Sequence, residues 1–135
     1  MISRFLFFLL FSLLTFQAKS QHLIGLSREK VIETLKESNF VIDNTSKNTT
    51  YNYLKYVDRN EEKTLLVFFT KEDFCSSTKL MCDYSSIKET IAKYNKIYKK
   101  KSSSVWNYQK DGKTFKVELR KEEWFYSVII TPKLK

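Results

Sequence analysis

One segment of this chain is written twice. Lys63-Thr64-Leu65-Leu66-Val67-Phe68-Phe69-Thr70-Lys71-Glu72-Asp73-Phe74 aligns without gaps on Lys113-Thr114-Phe115-Lys116-Val117-Glu118-Leu119-Arg120-Lys121-Glu122-Glu123-Trp124. Lys, Thr, Val, Lys and Glu are identical, and both copies close on an acid followed by an aromatic. Upstream, Asn52-Tyr53-Leu54-Lys55 answers Asn107-Tyr108-Gln109-Lys110. A repeated supersecondary unit cannot bury its apolar face alone and must do so against its neighbour. Strand composition also produces partial matches by itself, so chance likeness between two hairpins stands beside duplication as a reading.

Each copy sits in a similar succession of signals. Ser27 is an N-cap candidate for a helix whose Val31, Ile32 and Leu35 share a face, with Leu26 placed to staple onto Val31. A polar loop, Asp43 to Thr50, leads to a hairpin of Tyr51 to Val57 and Lys63 to Thr70, and Phe74 to Cys82 supplies a third strand. In the second copy Ser86 and Glu89 have capping-box spacing, and Ile87, Ile91, Tyr94 and Tyr98 follow at helical intervals. Lys99, Lys100 and Lys101 are read as its last turn, where cations suit the negative end of the helix dipole. Trp106 to Lys110, the Asp111-Gly112 turn and Lys113 to Lys121 form a second hairpin, and Trp124 to Thr131 is the last strand. The expected fold is α+β: two tandem αβββ units, at about 26–82 and 84–132, with helices packed on an antiparallel sheet.

Alternation assigns the faces. Phe115, Val117 and Leu119 point one way and Lys116, Glu118 and Arg120 the other, so one sheet face is solvated. By alignment Leu65, Val67 and Phe69 face inward, yet their outward neighbours Leu66 and Phe68 are apolar where the second copy is charged. Leu66 and Phe68 are therefore the candidate partner-binding surface, unless a loop covers them.

The first twenty residues read as a cleavable signal peptide. Arg4 precedes an apolar run from Phe5 to Phe16, shorter than the roughly 20 residues of a membrane span, and Ala18-Lys19-Ser20 supplies a small-residue cleavage site. Residues 21–135 are then a single domain, exported to the periplasm or secreted, with no membrane span after signal removal. The chain carries a net charge of +9. A basic balance permits anionic partners, but scattered lysines also keep a protein soluble.

Catalytic parts are missing. The one histidine, His22, lies beside the expected mature terminus, which leaves no Ser-His or Cys-His pair within the repeats. One histidine and two cysteines do not close a zinc site, and Gly25 and Gly112, the only glycines, make no phosphate-binding loop. Glu61-Glu62 and Glu122-Glu123 fall at turns, where adjacent acids are ordinarily solvated. No catalytic, cofactor-binding or metal-binding residue is assigned, and no cofactor is expected. Tyr51, Tyr53 and Tyr56, with Trp106 and Tyr108, are candidate stacking aromatics for a sugar or base, although aromatics on strands also serve as core. No aromatic RNA-binding signature is present, so no nucleic-acid partner is expected. Asn44-Thr45-Ser46 and Asn48-Thr49-Thr50 have the spacing of glycosylation sequons.

Two readings of Cys75 and Cys82 stay open. An exported small domain favours a disulfide. A regular strand from Cys75 to Cys82 instead separates their Cα atoms by about 23 Å with side chains on opposite faces. A disulfide needs roughly 4.4–6.8 Å, so the bond and the strand exclude each other.

The ending Ala18-Lys19-Ser20-Gln21, the Lys/Asn/Ile/Tyr-rich composition and Gly25-Leu26-Ser27 before the first helix resemble small uncharacterised exported proteins of Gram-negative bacteria. The tandem helix-plus-sheet plan is similar in outline to β-lactamase-inhibitor-like modules, which act by protein contact. That resemblance implies a protein-binding role and transfers no residues. The expected function is an exported non-enzymatic binding or envelope-associated module, its partner a protein or cell-envelope component. The alternatives are a small secreted hydrolase using carboxylate and tyrosine residues, for which Glu72, Asp73 and Glu122 would line a pocket, and a binder of anionic polysaccharide.

Overall fold

The computed structural model describes residues 22–44, 52–60 and 63–134. The leader read at residues 1–20, Tyr51, the Glu61-Glu62 pair and the sequon segment 45–50 lie outside them. In chain order the elements are α1 (Arg28–Leu35), β1 (Phe40–Ile42), β2 (Tyr53–Asp58), β3 (Thr64–Phe69), β4 (Cys75–Cys82), a 3-10 turn (Tyr84–Ser86), α2 (Ile87–Ile97), β5 (Lys99–Ser102), β6 (Val105–Lys110), β7 (Lys113–Lys121) and β8 (Tyr126–Pro132). All the strands pair antiparallel in one eight-stranded sheet of order β1-β2-β3-β4-β8-β7-β6-β5.

This corrects the expected α+β plan of two αβββ units with helices packed on a sheet. A single continuous sheet dominates, accompanied by two short helices of 8 and 11 residues. The halves are joined by direct β4–β8 pairing, from Thr78 opposite Ile130 to Cys82 opposite Tyr126. Each half also has four strands. The additional ones, β1 and β5, are only 3 and 4 residues long, too short for alternation to register. The dipole reading of Lys99–Lys101 fails for the same reason: α2 stops at Ile97, and Tyr98 turns extended at φ −118°, ψ 160°. The lysines are then drawn into pairing with β6, Lys99 opposite Asn107 and Lys100 opposite Trp106.

Local chemistry explains the ends. Ser27 caps α1, its Oγ accepting from the Lys30 amide at 3.2 Å. The Ser86–Glu89 capping box does not form. Ser86 Oγ bonds the Asp83 carbonyl at 3.0 Å and the Tyr126 hydroxyl at 2.7 Å instead. Asp83 does the capping one turn earlier, accepting from the Ser85 amide at 2.9 Å. Asp111 and Gly112 both take positive φ, 53° and 76°, as a tight hairpin turn between Lys110 and Lys113 requires.

One face of the sheet carries the core. Tyr56, Leu65, Val67, Phe69 and Cys75 gather with Leu23, Val31 and Leu35. Trp106, Val117, Leu119, Tyr126, Val128 and Cys82 gather with Ile87, Ile91 and Tyr94. Leu80 touches both clusters.

Strand register refines the repeat. Val67 and Val117 are equivalent, since Phe69 and Leu119 donate to the carbonyls of Asn52 and Ser104, each at 2.9 Å. Tyr53 opposite Phe68 therefore corresponds to Val105 opposite Glu118, and Tyr56 corresponds to Tyr108. The upstream match of Asn52-Tyr53 with Asn107-Tyr108 is out of register. It was carried by residue type, whereas pairing is set by which side chains are buried. The copies also part after Phe69 and Leu119, because β7 runs on to Lys121 while the first chain turns at Thr70.

Cys75 and Cys82 are thiols at the two ends of β4, not a disulfide. The strand reading accounts for this, but not its opposite-face corollary, because both side chains are buried. Pairing shifts between Phe68 opposite Ser77 and Phe69 opposite Cys75. This one-residue bulge at Ser76 returns Cys75 to the core face.

Candidate functional site

The other face of the sheet is where the described chain leaves side chains without a second layer. Both helices and the Leu23 segment lie on the core side. Cross-strand pairing arranges the residues of this face in rows: Lys55, Leu66, Lys79, Ile129, Glu118, Val105; beside it Tyr53, Phe68, Ser77; and on the other flank Val57, Thr64, Met81, Ser127, Arg120, where Ser127 is fully buried.

The two candidate surface residues thus come together. Leu66 and Phe68 are both half-buried on this face, and the Phe68 ring lies 5.9 Å from that of Tyr53 at 47°. Leu66 is flanked directly by Lys55 and Lys79. Lys55 reaches Asp43 at 3.3 Å, while Lys79 has no ion-pair partner among the described residues. On the second half Glu118 engages Lys116 at 3.5 Å and Arg120 at 3.6 Å, so much of that charge is internally matched.

The stacking candidates separate. Tyr53 is on the outward face. Trp106 is fully buried, its Nε1 donating to Asn95 Oδ1 at 2.9 Å. Tyr108 is sandwiched between Tyr98 and Phe115, with ring centroids at 5.1 Å on each side. Trp106 and Tyr108 therefore pack the interior and offer no free ring face. Tyr56, too, belongs to the core. His22 does not trail free beside the terminus: its Nδ1 is 2.8 Å from the Tyr108 hydroxyl and its ring 4.5 Å from that of Phe115. Burial, more than the nearby Lys110 ammonium, lowers its pKa.

The acids do not converge. Asp73 is exposed and bonded to Asn52 at 2.8 Å and Arg28 at 3.4 Å, contacts that hold its carboxyl below the usual range, Asn52 first. Glu122 accepts from the Tyr84 hydroxyl through its backbone carbonyl. Glu72 lies in the exposed β3–β4 turn. Among the described residues no group of three or more His, Cys, Asp or Glu is placed to hold a metal ion, and no helix is long and apolar enough to cross a membrane.

Sequence reasoning passed over three features. Met81 and Ile129 extend the outward apolar area beyond Leu66 and Phe68, which only the cross-strand register reveals. Trp124 was read as the start of a strand but stands 81% exposed in the β7–β8 turn. A broad trough of about 1000 Å³ runs around the β6–β7 hairpin and the end of β8, with Lys99, Lys101, Lys113 and Lys133 on its walls. Comparison with protein-family models, with curated proteins and with solved structures found no match to this chain.

Proposed function

We propose that this protein is an exported, non-enzymatic binding module working at the cell envelope. It holds a protein partner on the outward face of β2, β3, β4 and β8. The observation that carries this reading is the row Lys55, Leu66, Lys79, Ile129, next to Tyr53 and Phe68: an apolar centre flanked by cations on a face with no described covering layer. Apolar area at the centre with charge at the rim is the anatomy of a protein interface. The apolar centre and the lysines beside it select a partner surface that is apolar at its middle and acidic around it. Export rests on the leader read at residues 1–20. The hydrolase alternative gains no support from Glu72, Asp73 and Glu122, which are dispersed over two turns and line neither the sheet-end trough nor the cavity between the helices and the sheet.

The test is crosslinking of the exported protein in envelope preparations, read by mass spectrometry against the variant Leu66→Lys, Phe68→Lys. Both positions are outward, and a thermal melt checks that the variant folds, since it sets a third cation between Lys55 and Lys79. The reading requires a partner crosslinked to the parent, lost from the variant and weakened by salt. An identical set of crosslinks from both proteins overturns it.

A further inference from the structure

We propose that the trough around the β6–β7 hairpin is a binding site for a linear anionic polysaccharide, separate from the protein-binding face. Its walls bring together Lys99 and Lys101 of β5, Lys113 of β7 and Lys133 after β8, against a single acid, Asp111. None of these four lysines makes an ion pair among the described residues, in contrast to Lys116 and Arg120, which share Glu118. The end of the trough is built by pairing that continues past β8, the Lys133 amide donating to the Thr114 carbonyl at 2.9 Å.

A structural explanation exists for part of this charge, since lysines on an edge strand discourage sheet-to-sheet aggregation. It does not cover Lys113 and Lys133, which are not on an edge strand. Nor does the equivalent edge strand β1, Phe40-Val41-Ile42, carry any lysine.

The shape and chemistry select the ligand. Ammonium groups distributed along an open trough suit a chain of anions rather than one phosphate, for which a fork of arginine donors or a glycine nest would converge. The uncharged polar lining is Asn107, Gln109 and Thr114, groups that exchange hydrogen bonds with sugar hydroxyls. Asn107 is 7% exposed and sits between Lys99 and Lys116 in the sheet, so it is held in place on the trough wall. Stacked nucleobases find no platform, because the Tyr108 ring is already enclosed by Tyr98 and Phe115.

Fluorescence polarisation with labelled polygalacturonate oligomers tests this. The parent is compared with Lys113→Glu, Lys133→Glu in the trough and with Lys36→Glu, Lys88→Glu, an equal charge change just after α1 and on α2. All four lysines are exposed, and thermal melts are used to check that both variants fold. The expected result is about tenfold weaker binding for the trough variant and less than about twofold for the helix variant, because screening confines the effect to nearby charges. The trough variant should still crosslink the protein partner, which keeps this result distinct from the Leu66 and Phe68 test. Absence of binding, or equal weakening in both variants, overturns the proposal. Competition by polyglutamate or oligothymidylate as strong as by unlabelled polygalacturonate overturns the glycan assignment.

Discussion

The two halves of the sheet repeat one order of elements and differ in how they are fastened. In the second half, hydrogen bonds tie α2 to the strands: Asn95 to the Trp106 indole at 2.9 Å, and Ser86 and Thr90 to the Tyr126 hydroxyl at 2.7 and 2.8 Å. In the first half, α1 meets the interior through Val31 and Leu35, and its polar ties lie at its N-terminal end: the Arg28 amide donates to the Asp73 carbonyl at 2.9 Å, and the Arg28 guanidinium bonds Asn52 and the exposed Asp73 while lying 4.3 Å over the Phe69 ring. The equivalent tyrosines show the same contrast, since Tyr108 has His22 at its hydroxyl whereas the Tyr56 hydroxyl is buried without a partner among the described residues. Apolar burial is non-directional and hydrogen bonds are directional. One alternation pattern thus fills both cores, while the second half fixes its helix by part-buried side-chain hydrogen bonds and the first by backbone bonds at the start of α1 and by exposed Arg28 contacts.

The largest expected effect lies in the better-fastened half. Trp106→Ala removes a fully buried indole and should cost about 3–5 kcal/mol in denaturant unfolding. Val31→Ala, also at a fully buried site, should cost about 2 kcal/mol. A loss of less than about 2 kcal/mol for Trp106→Ala would mean that its burial and its bond to Asn95 contribute little.

A smaller pair of substitutions should differ in sign. Tyr126→Phe deletes the hydroxyl shared by Ser86 and Thr90 and should destabilise by about 1 kcal/mol. Tyr56→Phe removes a buried hydroxyl that has no partner among the described residues, so melting should be unchanged or raised. A destabilised Tyr56→Phe would show that this hydroxyl is satisfied and would weaken the contrast.

Alternation in the hairpins was readable from the sequence because burial and period coincide there. Leu65, Val67 and Phe69, like Phe115, Val117 and Leu119, are all buried. The Asp111-Gly112 turn was equally legible, since few dipeptides accept two positive φ values. The edge strands were not. Lys99-Lys100-Lys101-Ser102 has no apolar alternation, and its strand character comes from pairing with β6. The bulge at Ser76 leaves no signature in composition, yet it decides where Cys75 points. Leu66 and Phe68 could be picked out by contrast with Lys116 and Glu118. The trough could not, because its lysines come from separate segments that meet only when β5, β7 and the end of β8 are laid side by side.

Thiol labelling sharpens the comparison further, since Cys75 belongs to the first cluster and Cys82 to the second. Burial pushes the Cys75 thiol up to about 11, so it should resist labelling at pH 8 in the native protein. In mild denaturant Cys75 should label several-fold faster than Cys82, because the half whose helix has only exposed side-chain ties opens at lower free energy. Peptide mapping of the labelled sites would read this, and Cys82 labelling first would reverse the order of the two halves.

The smallest effect belongs to His22, the chain's one histidine, at a tyrosine hydroxyl tie for which Tyr56 has no counterpart among the described residues. Burial first, then the Lys110 ammonium, hold the imidazole below its ordinary 6.5, outweighing the Ile24 backbone contact and Asp111, which act the other way. The unfolded chain therefore takes up a proton near pH 6.5 that the folded chain resists, so proton binding favours unfolding. The stability is fully present above that value and declines as pH falls through it toward the lower folded pKa. Asp73 and Asp83 are held below the ordinary carboxylate range, so they stay ionised, folded or unfolded, at pH 5.5 and above. The melting temperature should accordingly drop modestly between pH 7.5 and 5.5. His22→Phe keeps an aromatic ring against Phe115 and removes the titrating group, so its melting temperature should be flatter over the same interval. A drop as large in His22→Phe as in the parent would place the pH response elsewhere and leave the Tyr108 tie without a role in it.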